Sequence, residues 1–219
     1  MIYEYSCYDF TMKDIELVDT LKVVTKFSIS SVSVLPSQVK VVKSVLNPGI
    51  KVSTPVDYPF GVLDLKSRLS IVENAVKNKT DIIEVVCPAY YLSNRKYDKF
   101  REDIKTIKEF AIANNVEVRY VLEYRQFTYE LLYKVAHVLK DLGVDTIYPS
   151  TSYFLDDISD NLLASALINK KVPDINIIVT GNIWNNKHVT LIKNSQIYGI
   201  RLNSVNGLKL LCNNTSLGV

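Results

Sequence analysis

Eight short runs rich in β-branched and aromatic residues alternate along this chain with longer segments of helical period, and few folds accommodate that rhythm. The runs are residues 6–10, 28–34, 50–56, 81–87, 116–122, 145–148, 175–179 and 197–202. Between them lie helical faces such as Ile15, Val18 and Leu21; Val39, Val42 and Leu46 after Pro36; and Leu65, Leu69, Val72 and Val76. Phe100, Ile104, Ile107 and Ala111 form another, then Leu131, Leu132, Val135 and Leu139, then Ile158, Leu162 and Ala166, with two short helices to follow. Apolar strands separated by amphipathic helices pair in parallel through right-handed crossovers. Eight such units within 219 residues predict an α/β fold, a (β/α)8 TIM barrel forming one domain over residues 1–219. The competing architecture, an open doubly wound sheet, usually carries a glycine-rich phosphate turn. This chain has 7 Gly and neither GxGxxG nor GxxxxGK[ST].

Composition narrows the function classes. The formal net charge of +3 is small for this length, and Lys and Arg are scattered, so neither nucleic acid nor an acidic membrane surface is indicated as a partner. The start, Met1-Ile-Tyr-Glu-Tyr-Ser6, lacks the basic and apolar regions of a signal peptide, and no apolar run reaches membrane-spanning length. Three widely spaced cysteines, Cys7, Cys87 and Cys212, suit a reducing interior better than a disulfide framework, and a cytoplasmic protein is expected. His137 and His188 both fall in predicted helices without neighbouring ligands, so no metal and no cofactor is expected.

Barrels of this kind place their chemistry at the carboxyl ends of the strands. The stretch Asp145-Thr-Ile-Tyr-Pro-Ser-Thr-Ser152 reads as a short buried strand that Tyr148-Pro149 ends in a cluster of hydroxyls. It resembles the "DFIKTSTG" motif of deoxyribose-phosphate aldolases. Other stretches resemble that family in the same order. Tyr8-Asp-Phe-Thr11 is similar to the opening "DHT", and Ser53-Thr-Pro-Val-Asp-Tyr-Pro-Phe-Gly61 to "TVIGFPLG". Asp81-Ile-Ile-Glu-Val-Val86 is similar to "DEIDMV", Val118-Arg-Tyr-Val-Leu-Glu-Tyr124 to "LKVILET", and Ile177-Ile-Val-Thr-Gly-Asn-Ile-Trp184 to "VKASGGIR". The matches span nearly the whole chain.

The resemblance implies a Schiff-base aldolase, in which one lysine attacks the acetaldehyde carbonyl, a second lowers its pKa, and an aspartate with ordered water shuttles the proton. Such chemistry needs an amine that is neutral near pH 7. At the matching positions the chain differs. Tyr148 stands where the Schiff-base lysine would be, Ile178 at the second lysine, Glu84 at the strand-four aspartate, and Arg119 at the fifth-strand lysine. Gly181 and Asn182 match the phosphate-site glycines, Asn203 and Ser204 the last-strand serines, and Asp9 is retained. Lys13, Lys51 and Lys187 are poorly placed to substitute, lying in loop or helix sequence or at a strand's amino end.

These residues carry paired readings. Tyr148 donates a proton or binds a ligand oxygen, or else plugs the barrel. Glu84 and Arg119 form a buried ion pair, the favoured reading, or Arg119 grips a carboxylate or phosphate. Arg201 faces a phosphate beside Gly181 and Asn182, or turns outward to a helix carboxylate. Asp9 and Glu123 are polar groups at the mouth, and Trp184 packs. The preferred expectation is a pseudoenzyme that binds a small phosphorylated, anionic ligand or a protein partner, with a homodimer suggested by the related aldolases. The alternative is an active lyase cleaving 2-deoxyribose 5-phosphate to glyceraldehyde 3-phosphate and acetaldehyde, or a lyase or isomerase acting without an imine.

Overall fold

The computed structural model describes residues 1–154 and 157–213. The strands are β1 (Ile2–Cys7), β2 (Ser31–Val34), β3 (Lys51–Val56), β4 (Ile82–Val86), β5 (Glu117–Val121), β6 (Thr146–Tyr148), β7 (Asn176–Thr180) and β8 (Gly199–Leu202). All pair in parallel with their sequence neighbours, and β8 pairs with β1, closing a (β/α)8 barrel. Helices α1 (Asp14–Val24), α2 (Val39–Val45), α3 (Leu65–Lys77), α4 (Ala89–Ser93), α5 (Tyr97–Ala113), α6 (Tyr129–Asp141), α7 (Ile158–Lys171), α8 (Asn186–Lys193) and α9 (Val205–Asn213) connect or follow them. Several begin at side-chain caps that satisfy orphan amides: Asp64 accepts from Ser67, Thr128 from Leu131, Asp157 from Ser159 and Asn185 from Lys187 and His188. No helix among the described residues is long and apolar enough to cross a membrane.

The period of two divides each strand between two environments. Tyr5 and Cys7, Val32 and Val34, Ile83 and Val85, and Tyr120 and Leu122 face the helices and build the apolar layer around the barrel. The alternate residues turn inward, and there the composition changes: Glu4, Ser6, Ser31, Ser33, Ser53, Glu84, Arg119 and Arg201 are all buried.

Two sequence expectations change. The first strand is Ile2–Cys7 rather than 6–10, because the alternation Ile-Tyr-Glu-Tyr-Ser-Cys supplies both faces of a strand. Tyr8, Asp9 and Phe10 therefore belong to the loop beyond its carboxyl end. In α1 the buried side chains are Leu17, Leu21 and Val24, spaced i, i+4, i+7, while Ile15 is 63% exposed.

The β3–α3 loop is held from beneath by a second buried charge cluster. Arg68 on α3 is fully buried; it donates to Asp57 Oδ2 at 3.2 Å and to the Val86 carbonyl at 3.0 Å, and stands 3.2 Å from Asp103 on α5. Asp57 also accepts from the Leu63 amide at 3.0 Å. Its backbone and that of Gly61 are left-handed, and a Cβ at Gly61 would collide with the Cys87 carbonyl, so only glycine fits there. Neither Asp103 oxygen makes an aligned hydrogen bond. Burial therefore pushes the Asp103 carboxyl up to about 6, against the pull of Arg68 and with the help of Asp57 and Glu102.

A carboxyl raised in the folded state binds its proton more tightly there than in the unfolded chain, so stability falls as pH rises through about 6. At pH 7.5 the ionised Asp103 costs on the order of 3 kcal/mol. Urea unfolding at pH 5.5 and 7.5 is expected to show Asp103→Asn gaining stability relative to wild type as pH rises. An equal difference at both pH values would contradict this assignment.

Candidate functional site

Four charged side chains from four strands meet inside the barrel. Glu4 comes from β1, Glu84 from β4, Arg119 from β5 and Arg201 from β8, and each is at most 6% exposed. In an eight-stranded ring β1 lies opposite β5, and β4 opposite β8. The ion pairs follow those diameters. Arg119 Nη1 donates to Glu4 Oε1 at 2.6 Å. Arg201 grips Glu84 with both ends of its fork, Nη1 to Oε2 at 2.5 Å and Nη2 to Oε1 at 2.6 Å. A further contact, Arg201 Nη2 to Glu4 Oε2 at 2.9 Å, joins the two diameters.

Tyr148 of β6 sits where they cross. Its hydroxyl accepts from Arg119 Nη1 at 2.8 Å and from Arg201 Nη2 at 2.5 Å, and donates to Glu4 Oε2 at 2.9 Å. The Arg201 guanidinium also lies 4.0 Å from the centre of the Tyr148 ring. Ile178, Val86 and Val121 pack beside that ring.

This arrangement corrects the expected Glu84–Arg119 pair. The two are register neighbours on β4 and β5. Their side chains nonetheless pass one another, because inward-pointing chains long enough to reach the axis meet partners from the opposite wall. Arg119 binds Glu4, and through Nε it binds Glu117 Oε1 at 2.7 Å, which in turn holds Lys51 at 2.8 Å. Arg201 does not turn outward to a helix carboxylate: it turns inward and binds Glu84 and Glu4.

The electrostatics follow from burial and pairing. Burial alone would raise the Glu4 carboxyl, but Arg201 and Arg119 hold it below its ordinary value. Burial holds the Tyr148 phenol well above the usual range, despite Arg201, so it keeps its proton at neutral pH. Burial opposes the Arg201 charge, yet Glu84, Tyr148, Tyr8 and Glu4 hold its pKa well above the ordinary value. Two carboxylates thus face two guanidinium groups, and the cluster carries no net charge.

Above it two tyrosines close the barrel. The Tyr8 hydroxyl shares a 2.7 Å hydrogen bond with Ser33 Oγ and donates to Glu84 Oε2 at 3.1 Å. The Tyr58 ring lies 4.9 Å from the Tyr8 ring. Beneath them remains a cavity of about 10 Å³, lined among others by Glu84, Arg201, Thr180 and Ser152.

The other candidate residues lie apart from this cluster. Asp9 is exposed and accepts from the Thr11 amide and hydroxyl at 2.8 and 2.6 Å, ordering its own turn. Gly181 is buried at the end of β7, its amide donating to the Arg201 carbonyl at 3.2 Å. Asn182 is half-buried, Asn203 exposed, and the Ser204 hydroxyl accepts from the Gly207 amide at 3.3 Å in the first turn of α9. Glu123 is buried and left-handed at φ 52°, its Oε2 accepting from the Thr151 amide and hydroxyl. Trp184 is 69% exposed, so it does not pack as expected. None of the chain's lysines is buried, and Lys13, Lys51 and Lys187 are all exposed. Sequence reasoning missed Glu4, Tyr8 and Tyr58; the alternation of residues 2–7 carried a signal for the first.

Removing one partner from a buried pair leaves the other charge unmatched. Glu84→Gln is therefore expected to lower unfolding free energy by about 3–5 kcal/mol. The double variant Glu84→Leu, Arg201→Met, which removes both charges, is expected to lose less. Urea melts of the two variants test this, and a double variant worse than the single would contradict the pairing.

No family model matches the chain. Among curated proteins it is similar to the deoxyribose-phosphate aldolase of Caldicellulosiruptor saccharolyticus, 28% identical over 130 residues, 58% of this chain and 59% of that one. The deoxyribose-phosphate aldolase of Staphylococcus carnosus is 26% identical over 147 residues, 66% of this chain and 64% of that one. The chain thus spans under two thirds of the length of either relative. With that of Methanocella arvoryzae it is 28% identical over 181 residues, covering 80% of this chain and 77% of the other. Solved structures of like fold include an aldolase termed QR15, with TM-score 0.84, 17% identity and 99% and 96% of the two chains covered. The tetrameric deoxyribose phosphate aldolase of Aeropyrum pernix superposes with TM-score 0.79, 14% identity and 98% and 90% coverage. In sequence the chain is similar to deoxyribose-phosphate aldolases, and in fold it is similar to solved aldolase barrels.

Proposed function

We propose that this protein works by binding at the mouth of its barrel and does not carry out imine chemistry. One observation carries the reading: the position matched to the Schiff-base lysine holds Tyr148, whose hydroxyl is locked between two guanidinium groups and a carboxylate. An imine needs a free amine within bonding distance of the carbonyl carbon. Tyrosine and arginine supply none, and every lysine stands outside the interior. A phenol that keeps its proton on Glu4 at neutral pH is likewise unavailable as a base.

The ligand in this reading is a small sugar, phosphorylated or not, or a protein partner. Exposed aromatic and apolar side chains in the loops around the mouth, Phe10 at 87%, Val62 at 71% and Trp184 at 69%, support a surface used for contact.

The curated relatives favour a second reading, cleavage of deoxyribose 5-phosphate. The two separate cleanly. Incubation with acetaldehyde and borohydride, followed by intact mass measurement, is expected to leave the protein at its unmodified mass. Deoxyribose 5-phosphate is expected to yield no acetaldehyde. A reduced adduct on any lysine, or turnover in the second assay, would overturn the binding reading.

A further inference from the structure

The barrel has a second opening, at the amino ends of its strands. Lys51 of β3, Glu117 of β5, Thr146 of β6 and Asn176 of β7 line a cavity there of about 380 Å³, together with Lys108 of α5. The strand residues share the parity of Ser53, Arg119, Tyr148 and Ile178, one inward layer further down the axis. Arg119 reaches the same cavity from that inner layer.

Arg119 is 6% exposed, and its guanidinium is incompletely used. Nε donates to Glu117, and Nη1 donates to Glu4 and to Tyr148. Nη2 has no acceptor among the described residues. Two N–H donors of a guanidinium largely removed from solvent are thus left to the cavity, and such groups mark a position where an oxygen belongs.

Water satisfies an N–H, but the charge around the cavity selects for more. Glu4 matches Arg119, Glu117 holds Lys51 at 2.8 Å, and Lys140 holds Asp145, another lining residue, at 2.9 Å. Lys108 is the cation left over. Its Nζ donates to the neutral Leu142 carbonyl at 2.7 Å, and it pairs with no carboxylate among the described residues. One negative charge completes the balance. A phosphate dianion would bring a second one beside Glu117, at a desolvation cost with no further cation to offset it. The rest of the lining includes Val116, Val118 and Tyr198, apolar surface that suits a carbon body.

We propose that the amino-terminal opening of the barrel is a binding site for a small organic monocarboxylate, anchored by Arg119 Nη2 and Lys108. It lies at the opposite end from Gly181 and Asn182, which follow β7. The proposal is independent of whether the other mouth binds or cleaves anything.

The test is a titration of the full chain with butyrate, benzoate and inorganic phosphate, followed by protein-observed NMR. Ionic strength is held constant with chloride, so that screening is the same throughout. At least one carboxylate is expected to bind saturably, and phosphate at least about tenfold more weakly. Lys108→Met keeps the length of the stem and removes the surplus charge, and is expected to weaken carboxylate binding about tenfold. Asn176→Asp sets a like charge on the lining at a half-buried position and is expected to weaken it by at least as much. It also covers the case in which the Lys108 variant fails to fold. Absence of saturable binding for both carboxylates, preference for phosphate, or affinity unchanged in either folded variant would overturn the proposal.

Discussion

Two ion pairs set across the diameters of the barrel, Glu4 with Arg119 and Glu84 with Arg201, are the constraint on which the interior depends. A (β/α)8 core is normally filled by layers of branched apolar side chains. Here the middle of the core is ionic, and its charges survive burial only because each has a partner of matched geometry. The serines that surround them, Ser31, Ser33 and Ser53, are small, which leaves room for four long side chains to reach the axis. Sequence, packing and electrostatics agree at this point: small residues on β2 and β3 are the complement of large ones on β1, β4, β5 and β8.

The cluster also fixes what the barrel can offer a ligand. Its charges are used internally, so the interior presents oriented dipoles and a few hydroxyls and no net field. The loops that follow β1, β3 and β6 carry a different kind of contact, a contiguous set of ring contacts between 4.9 and 6.4 Å among Tyr8, Tyr58, Phe60, Tyr153 and Phe154. Those loops are held by polar anchors beneath, the Asp57–Arg68–Asp103 cluster for one and Glu123–Thr151 for another. Rigid footing under an aromatic rim is an arrangement suited to binding.

Much of this was legible in the chain, and the losses have physical causes. Strands β4 and β5 fall within one residue of their expected bounds, because buried parallel strands read as unbroken apolar runs. Leu132, Val135 and Leu139 are buried in α6 as their spacing requires. Glu84, Arg119, Arg201 and Tyr148 were all singled out, but their partners were not, since strand adjacency is readable from order whereas contact across a barrel depends on side-chain length. Glu4 was overlooked because the first strand was placed four residues too late. Tyr58 lay within a quoted motif, yet its position over the mouth follows from the left-handed turn at Asp57, which periodicity does not encode.

The Tyr148 hydroxyl bridges three charged neighbours at once, and this shapes how the interior can change. A lysine introduced there would bring a third cation against two guanidinium groups and, having no acceptor, would leave the Arg119 and Arg201 N–H groups that now bond the Tyr148 oxygen without it. A replacement at Arg201 alone would strand Glu84, and one at Arg119 would leave Glu4 with Arg201 as its single cation. Each single step out of the present arrangement is therefore unfavourable, although coordinated steps are open. The core is epistatically closed: the axis changes only by concerted substitution of paired side chains.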